Sequence, residues 1–257
     1  MDVSFVISGF AVGLLVGMTG VGGGSLMTPL LTLLFGVSPA VAVGTDLAFA
    51  SLTKSVGTFT HRLRGTVQWD IVRRLCVGAL PAAVLASVGL KYFGTLSPEL
   101  GQIIRYSIAG SVMLTVCALL FRRKMLAWIN AHPHRQLQGG RLTAATIFAG
   151  AVLGTLVTIS SIGAGAVGAT VLVMLYPKLT PAEVAGTDIA YAVPLTAIAA
   201  VGHWWLGSIN WMLLLTLLIG SVPGITIGSY FAKSVPEQLL RGLLAFILVA
   251  VAAKLIM

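Results

Sequence analysis

A cluster of glycines interrupts a long apolar stretch near the start of the chain. The stretch covers residues 3–35, and within it stand Gly20, Gly22, Gly23 and Gly24, followed by Ser25. About 20 apolar residues span a bilayer, so the stretch is longer than one crossing requires. Each glycine also costs a helix about 1 kcal/mol relative to alanine. We therefore expect two half-helices that meet at a glycine break buried in protein or lining a wet cavity. The alternative is that the glycines only permit close helix packing.

The composition is that of a membrane protein. Of the 257 residues, 57% are hydrophobic and 9% are charged, and the mean hydropathy is +1.00. These values predict an all-α polytopic protein whose surroundings are the lipid bilayer, without a separate soluble domain. The formal net charge of +9 comes from basic residues clustered in short loops. That is the positive-inside pattern, so nucleic acid is not an expected partner.

An internal repeat becomes visible when the sequence is shifted by 142 positions. Residues 39–91 then align without a gap, and the matched pairs include Gly44-Thr45-Asp46 with Gly186-Thr187-Asp188, His61 with His203, Trp69 with Trp211, and Pro81 with Pro223. The glycine break returns as Gly163-Ala164-Gly165, after Ser160 and Ser161. So many rare residue types in one register indicate a duplication. We expect a first transmembrane repeat at 1–121, a basic cytoplasmic linker at 122–141 and a second transmembrane repeat at 142–257.

Loop charges predict how the two repeats are oriented. The loop 61–74 carries four arginines, its counterpart 203–211 carries no Lys or Arg, and the linker is basic. Lys and Arg favour the cytoplasmic side, so loop 61–74 and the linker are expected inside and loop 203–211 outside. This predicts two inverted repeats, each a broken re-entrant helical hairpin plus three transmembrane helices. Eight plain crossings with parallel halves are the rival architecture. Inverted repeats with discontinuous segments are typical of secondary transporters.

Three ionisable residues are expected at membrane depth, where charges are costly and mark functional sites. Asp46 and Asp188 either cap helices or hold a coupling proton or sodium ion. Lys54 lies two turns after Asp46 on the same helix, where it is either the substrate's counter-charge or a lysine that snorkels to the interface. Thr45 and Thr187 are expected to face the breaks with their hydroxyls.

The breaks together offer many neutral hydrogen-bond donors and few fixed charges. Backbone N–H groups and helix N-termini of this kind bind anions. The expected substrate-binding residues are Thr19, Gly20, Gly22, Gly23, Gly24, Ser25, Thr45, Ser160, Ser161, Gly163, Gly165 and Thr187. The expected partner is a small anionic substrate.

The sequence contains no pattern that points to catalysis or to a metal centre. His61 and His203 would lie at opposite faces of an inverted repeat, so a shared metal is not expected and helix capping or interface anchoring is favoured. No nucleophile motif, acid–base pair at helical spacing or Walker-type loop is present. We expect no cofactor and no enzymatic activity.

The paired motifs resemble a known family. The first is Gly17-Met18-Thr19-Gly20-Val21-Gly22-Gly23-Gly24-Ser25-Leu26, followed by Ala42-Val43-Gly44-Thr45-Asp46, and both are echoed in the second half. This pattern is similar over essentially the whole chain to the sulfite exporter TauE/SafE family, also called the toluene-sulfonate uptake permeases. The resemblance implies a bacterial inner-membrane carrier of sulfite, sulfonates, sulfoacetate or other sulfur-containing anions, working by alternating access around a midplane site. The alternative is a proton- or sodium-linked carrier of another organic anion, with Asp46 and Asp188 holding the coupling ion. A homodimer is compatible with the sequence.

Overall fold

The computed structural model describes residues 3–19, 24–93, 98–131, 137–231 and 246. The described elements are α1 (Val3–Thr19), α2 (Gly24–Leu34), α3 (Pro39–Leu63), α4 (Trp69–Phe93), α5 (Pro98–Ala131), α6 (Gly139–Ser160), α7 (Ala166–Leu175), α8 (Pro181–Trp205) and α9 (Trp211–Phe231). Every regular element in these ranges is a helix, which confirms the all-α prediction.

Four of the described helical segments are long and apolar enough to cross a membrane. They are Trp69–Tyr92, Gly139–Ser160, Pro181–Trp205 and Trp211–Gly228. Helix α3 has 25 residues but is not among them, and it carries Asp46 and Lys54. Shorter apolar helical segments occur in α1, α5 and α7. The described residues therefore form a multi-pass helical membrane protein.

Glycines bring the helices of the two repeats into close contact. The backbones touch where Gly9 and Gly13 of α1 meet Leu217 and Ser221 of α9, and where Gly150 and Gly154 of α6 meet Leu75 and Ala79 of α4. A side chain at any of these glycines would collide with the facing backbone. Small residues at helix contacts are what packing inside a bilayer requires, because lipid gives no hydrophobic drive for association. The α1–α9 and α4–α6 contacts are equivalent under the sequence repeat.

A second pair of contacts joins the repeats in the same reciprocal way. The hydroxyl of Thr45 accepts a hydrogen bond from the N–H of Asn210 at 3.1 Å. The hydroxyl of Thr187 accepts one from the N–H of Gln68 at 3.1 Å. Asn210 and Gln68 are the residues directly before α9 and α4, so each hydroxyl satisfies a free N–H at the start of a helix in the other repeat.

The loops 64–68 and 206–210 lie at opposite ends of α3. Near its start, Gly44 packs against Ser208, and near its end, His61 Nδ1 lies 2.8 Å from Thr66 Oγ1. Gly44 and His61 are 61 − 44 = 17 residues apart, which corresponds to about 26 Å of helix.

Helices α6 and α7 form a hairpin around the non-helical residues 161–165. Tyr176 Oη, just after α7, lies 2.8 Å from Thr146 Oγ1 in the first half of α6. In the first repeat, the rings of Phe5 and Phe35 lie 4.7 Å apart between centroids and join the start of α1 to the end of α2. Under the shift of 142, Phe5 and Phe35 each stand one position after the residues that match Thr146 and Tyr176. Both helix pairs therefore turn back towards the end from which they started.

The centre of the fold is the contact between α3 and α8. Residues 42–50 of α3 are all buried, and Leu47 and Phe49 of α3 and Tyr191 and Leu195 of α8 have almost no exposed surface. This burial places Asp46 and Asp188 in the interior, because each stands next to these apolar positions on its own helix.

Gly78→Ala is expected to lower the free energy of unfolding by about 1–3 kcal/mol, as overpacking of a tight contact usually does. A Cβ at Gly78 would collide with the backbone of Ile147 in α6. Gly89→Ala on the same helix is the control, because its Cβ would meet no atom within 4 Å. Thermal unfolding in detergent measures both variants, and equal midpoints would contradict the tight α4–α6 contact.

Candidate functional site

The segment 161–165 leaves the helical conformation in the interior of the protein. Ser161 has φ of 58°, Gly163 has φ of 128° and Gly165 has φ of 142°. The last two values are favoured only by glycine, because a Cβ would strain the backbone there. Residues 161–165 are all buried. The glycines of the second repeat thus permit a buried turn between α6 and α7.

Three backbone amides of this segment have no hydrogen-bond acceptor among the described residues. They are the N–H groups of Gly163, Ala164 and Gly165. The carbonyls of Gly163 and Gly165 accept from Gly168 N at 2.9 Å and Ala169 N at 2.7 Å, which starts α7. Buried unpaired N–H groups are rare in proteins, and a helix N-terminus adds a partial positive charge. The segment can therefore donate hydrogen bonds to an anion.

Two basic side chains satisfy one carbonyl within the turn and one just before it. Lys54 Nζ donates to Ala164 O at 2.9 Å, and its side chain is buried. His203 Nε2 lies 2.9 Å from Thr158 O and donates to it, since a carbonyl can only accept. Thr158 stands in the last turn of α6, where carbonyls lack partners within the helix. Lys54 is thus held inside the protein and does not snorkel to the interface.

Asp46 connects α3 to the start of α2. Its Oδ2 accepts from Thr28 Oγ1 at 2.6 Å and from Thr28 N at 3.2 Å, and the side chain is fully buried. The Ser161 hydroxyl lies close enough to interact with this carboxylate, but the geometry does not make a hydrogen bond between them. Asp46 therefore faces the turn at 161–165 from the side of the first repeat.

Asp188 faces the same turn from α8. It lies against Gly168 in the first turn of α7, next to the hydroxyl of Tyr191. A side chain at Gly168 would collide with this carboxylate. Asp188 and Asp46 both lie within electrostatic reach of the Lys54 ammonium. Two carboxylates and one ammonium therefore surround the turn.

Neither aspartate caps its own helix. Helix α8 begins at Pro181, and Thr180 and Glu183 form its capping box; α3 begins at Pro39. Asp46 and Asp188 lie more than a turn inside these helices. The capping hypothesis is wrong for both, and their role as coupling residues stays a prediction.

The remaining predicted site residues have different positions. Ser160 Oγ lies 3.0 Å from Ser111 Oγ of α5 and also bonds backbone groups of its own segment. Thr45 and Thr187 hold the loops before α9 and α4, as described above. Gly20, Gly22 and Gly23 lie outside the described residues, Gly24 begins α2, and the side chains of Thr19 and Ser25 are not described. Substrate binding by this set stays a prediction.

Sequence reasoning missed Thr28, Gly168 and Tyr191. The repeat contained a signal for each of them. Thr28 matches Thr170 under the shift of 142, whereas Gly168 matches Leu26 and Tyr191 matches Phe49. The first is a duplicated polar residue, and the other two are positions where the repeats differ. Differences between repeats could thus have been used to find the site.

Comparisons with known proteins agree with these observations. A family model described as sulfite exporter TauE/SafE matches residues 5–255. The probable membrane transporter protein YjnA of Bacillus subtilis is 34% identical over 256 residues, covering all of both chains. The probable membrane transporter protein YdhB of the same organism is 27% identical, covering 96% of this chain and 97% of the relative. A probable membrane transporter protein of Xylella fastidiosa is 24% identical, with 97% and 92% covered. No solved structure matches.

Thr28→Val is expected to lower the free energy of unfolding by about 2 kcal/mol, because it removes a hydrogen bond to a buried carboxylate. Thr32→Val on the same helix is the control, since its hydroxyl bonds only carbonyls of its own helix. Thermal unfolding in detergent compares the two. A loss in Thr28→Val no larger than that in Thr32→Val would refute the contribution of the Thr28–Asp46 bond.

Proposed function

Because the chain belongs to the sulfite exporter TauE/SafE family of membrane transporters, we propose that it is a secondary carrier of small sulfur-containing anions of the sulfite, sulfonate or sulfoacetate type. The family is one of transporters and not of enzymes. Its relatives are bacterial, and the helices fit a multi-pass protein of the inner membrane.

The observation that carries the substrate proposal is the turn at 161–165. Three buried amides point to no acceptor among the described residues, and Lys54 uses one of its three N–H donors on Ala164 O. The oxygens of a sulfite or sulfonate group are hydrogen-bond acceptors, so this donor set matches them. The hydroxyl of Ser161, buried and without a hydrogen-bond partner in the described structure, adds a neutral donor.

The first glycine break would complete the site from the other repeat. Helix α2 begins at Gly24, and its Thr28 is bonded to Asp46, which also faces Ser161 of the second repeat. We propose that Thr19, Gly20, Gly22, Gly23, Gly24 and Ser25 bind the same substrate as residues 160–165. Thr45 and Thr187 would act on the site through the loops that they hold.

The contacts between repeats support alternating access by two inverted halves. Each contact between the repeats described above has an equivalent contact under the sequence repeat. The loops 64–68 and 206–210 lie at opposite ends of α3. Helix α6 runs parallel to α4, since Gly150 and Gly154 face Leu75 and Ala79 in order. The basic positions at the starts of α4 and α6 therefore lie at one end of the fold, as the loop charges require. One half rocking against the other would expose the turn at 161–165 to each side alternately.

The buried carboxylates favour a second candidate function. In this alternative the protein carries another small organic anion, and a proton or sodium ion bound at Asp46 and Asp188 drives the movement. Both residues lie beside the turn and are buried, which is where a coupling ion would need its ligands. A homodimer remains compatible with either function, and light scattering of the purified protein measures it.

Lys54→Thr is expected to weaken binding of the anion at least about tenfold, or about 1.4 kcal/mol, because it removes the buried positive charge. Threonine is chosen because Thr196 occupies the matching position of the second repeat. Binding of sulfite, thiosulfate, sulfonates and carboxylates to the purified protein, followed by thermal stabilisation and calorimetry, is the measurement.

Lys91→Thr is the control for this variant, since Lys91 is an exposed lysine whose ammonium lies over the Trp205 ring. It should bind the anion as the wild type does. If Lys54→Thr does not fold, Ser161→Ala offers a milder test, with a weaker but measurable loss. A wild-type protein that binds none of the anions would refute the proposed function.

Short epitopes inserted after Gly65 and after Gly207, which are equivalent positions of the repeats, are expected on opposite sides of the membrane. Both glycines stand in turns with open space around them. In spheroplasts, antibody should reach the epitope at Gly207 directly and that at Gly65 only after permeabilisation. Accessibility of both from one side would support eight plain crossings with parallel halves.

A further inference from the structure

The charges buried around the turn at 161–165 do not sum to zero. Among the described residues, Asp46, Lys54 and Asp188 are the ones that are buried and carry a formal charge. His203 is also buried, but a neutral imidazole is sufficient to donate its bond to Thr158 O. With all three residues ionised, two carboxylates face one ammonium, and the group carries one net negative charge.

An anion bound at the turn would make this imbalance worse. Three negative charges would then share Lys54, and ionised groups away from water are stable only when they are paired. Binding therefore requires either a cation that enters with the anion or a carboxylate that loses its charge. This step rests on the proposed function, because it assumes an anion on the amides of residues 163–165.

The two carboxylates differ in their surroundings. Asp46 has its own donors, the hydroxyl and N–H of Thr28, and these are independent of Lys54. Asp188 lies at the first turn of α7, directly beside the anion's proposed position. An anion bound there lies against a second negative charge, and a like charge at short range favours protonation of the carboxylate.

We propose that a proton neutralises Asp188 when the anion binds beside it. The proton comes from water on the side to which the site is open and bonds to a carboxylate oxygen of Asp188. When the site opens to the other side, the anion and the proton both leave to water, and Asp188 is ionised again. No bond of the anion is broken, and one proton moves with each anion.

The titratable groups described around Asp188 come from its own helix and from two neighbouring helices. Helix α3 contributes Lys54, whose ammonium lies within electrostatic reach of both Asp188 and Asp46. Its own helix contributes Tyr191, on which Cys76 of α4 also acts. The buried residues that the structure describes in α6 and α7 are uncharged.

Calorimetry in buffers of different ionisation enthalpy counts the protons taken up with the anion. Methanesulfonate and thiosulfate are suitable probes, because both stay ionised over the working pH range and any proton taken up belongs to the protein. The wild type is expected to take up about one proton per anion, with Kd rising about tenfold per pH unit where that uptake occurs. Asp188→Asn should bind the anion with no proton uptake and with a flat Kd.

Two matched variants separate Asp188 from the other carboxylates. Asp46→Asn should keep the uptake of one proton, and so should Asp70→Asn, which alters an exposed residue paired with Arg73. The proposal is overturned if the wild type binds anion without a proton, if binding depends on sodium instead, or if Asp46→Asn abolishes the uptake. Binding of neither probe by the wild type would overturn the proposed function together with this inference.

Infrared difference spectra provide a test that needs no variant to fold. Addition of thiosulfate to the wild type should produce the C=O stretch of a protonated carboxyl group, shifted in D₂O. This band should be missing in Asp188→Asn if that variant can be purified. Its absence from the wild type, with anion bound, would contradict the proposal even where the variants are lost.

Discussion

A backbone that leaves the helical conformation inside an apolar protein needs partners for its polar groups. At residues 161–165 these partners come from other helices: Lys54 of α3 bonds Ala164 O, and His203 of α8 bonds Thr158 O. Only the carbonyls are satisfied in this way, and three amides are left as donors. Carbonyls at the turn are therefore stabilised by other helices, whereas its amides are available to a ligand. The candidate site follows from this difference.

Reciprocal contacts place the turn where several helices meet. Because α1 packs on α9 and α4 packs on α6 through glycines, each repeat is held mainly by helices of the other. The threonines of the duplicated Gly-Thr-Asp motif add hydrogen bonds across the same boundary. Neither repeat therefore has its full set of packing partners alone. The proposed movement of one half against the other would have to break or slide these glycine-mediated contacts.

The site itself departs from the symmetry of the scaffold. Lys54 has Thr196 as its counterpart, Tyr191 has Phe49, and Gly168 has Leu26. These differences put the buried ammonium of Lys54 on one side and the close approach of Asp188 to α7 on the other. A symmetric scaffold can support alternating exposure, whereas an asymmetric set of charges can distinguish an anion from a coupling ion. The duplicated residues thus build the frame and supply the two carboxylates, and the unmatched residues make the site asymmetric.

The amino-acid sequence alone determined the helical membrane class, the duplication and the family resemblance, because hydropathy, glycine placement and rare residues in register are properties of local composition. It also identified Asp46, Lys54 and Asp188 as residues of interest, since charges at membrane depth are costly wherever they point. It did not decide whether the aspartates were caps, where Lys54 was directed, or that Thr28 bonds Asp46. Those answers depend on which helices pack together although they are far apart in the sequence, and only the tertiary structure determines that.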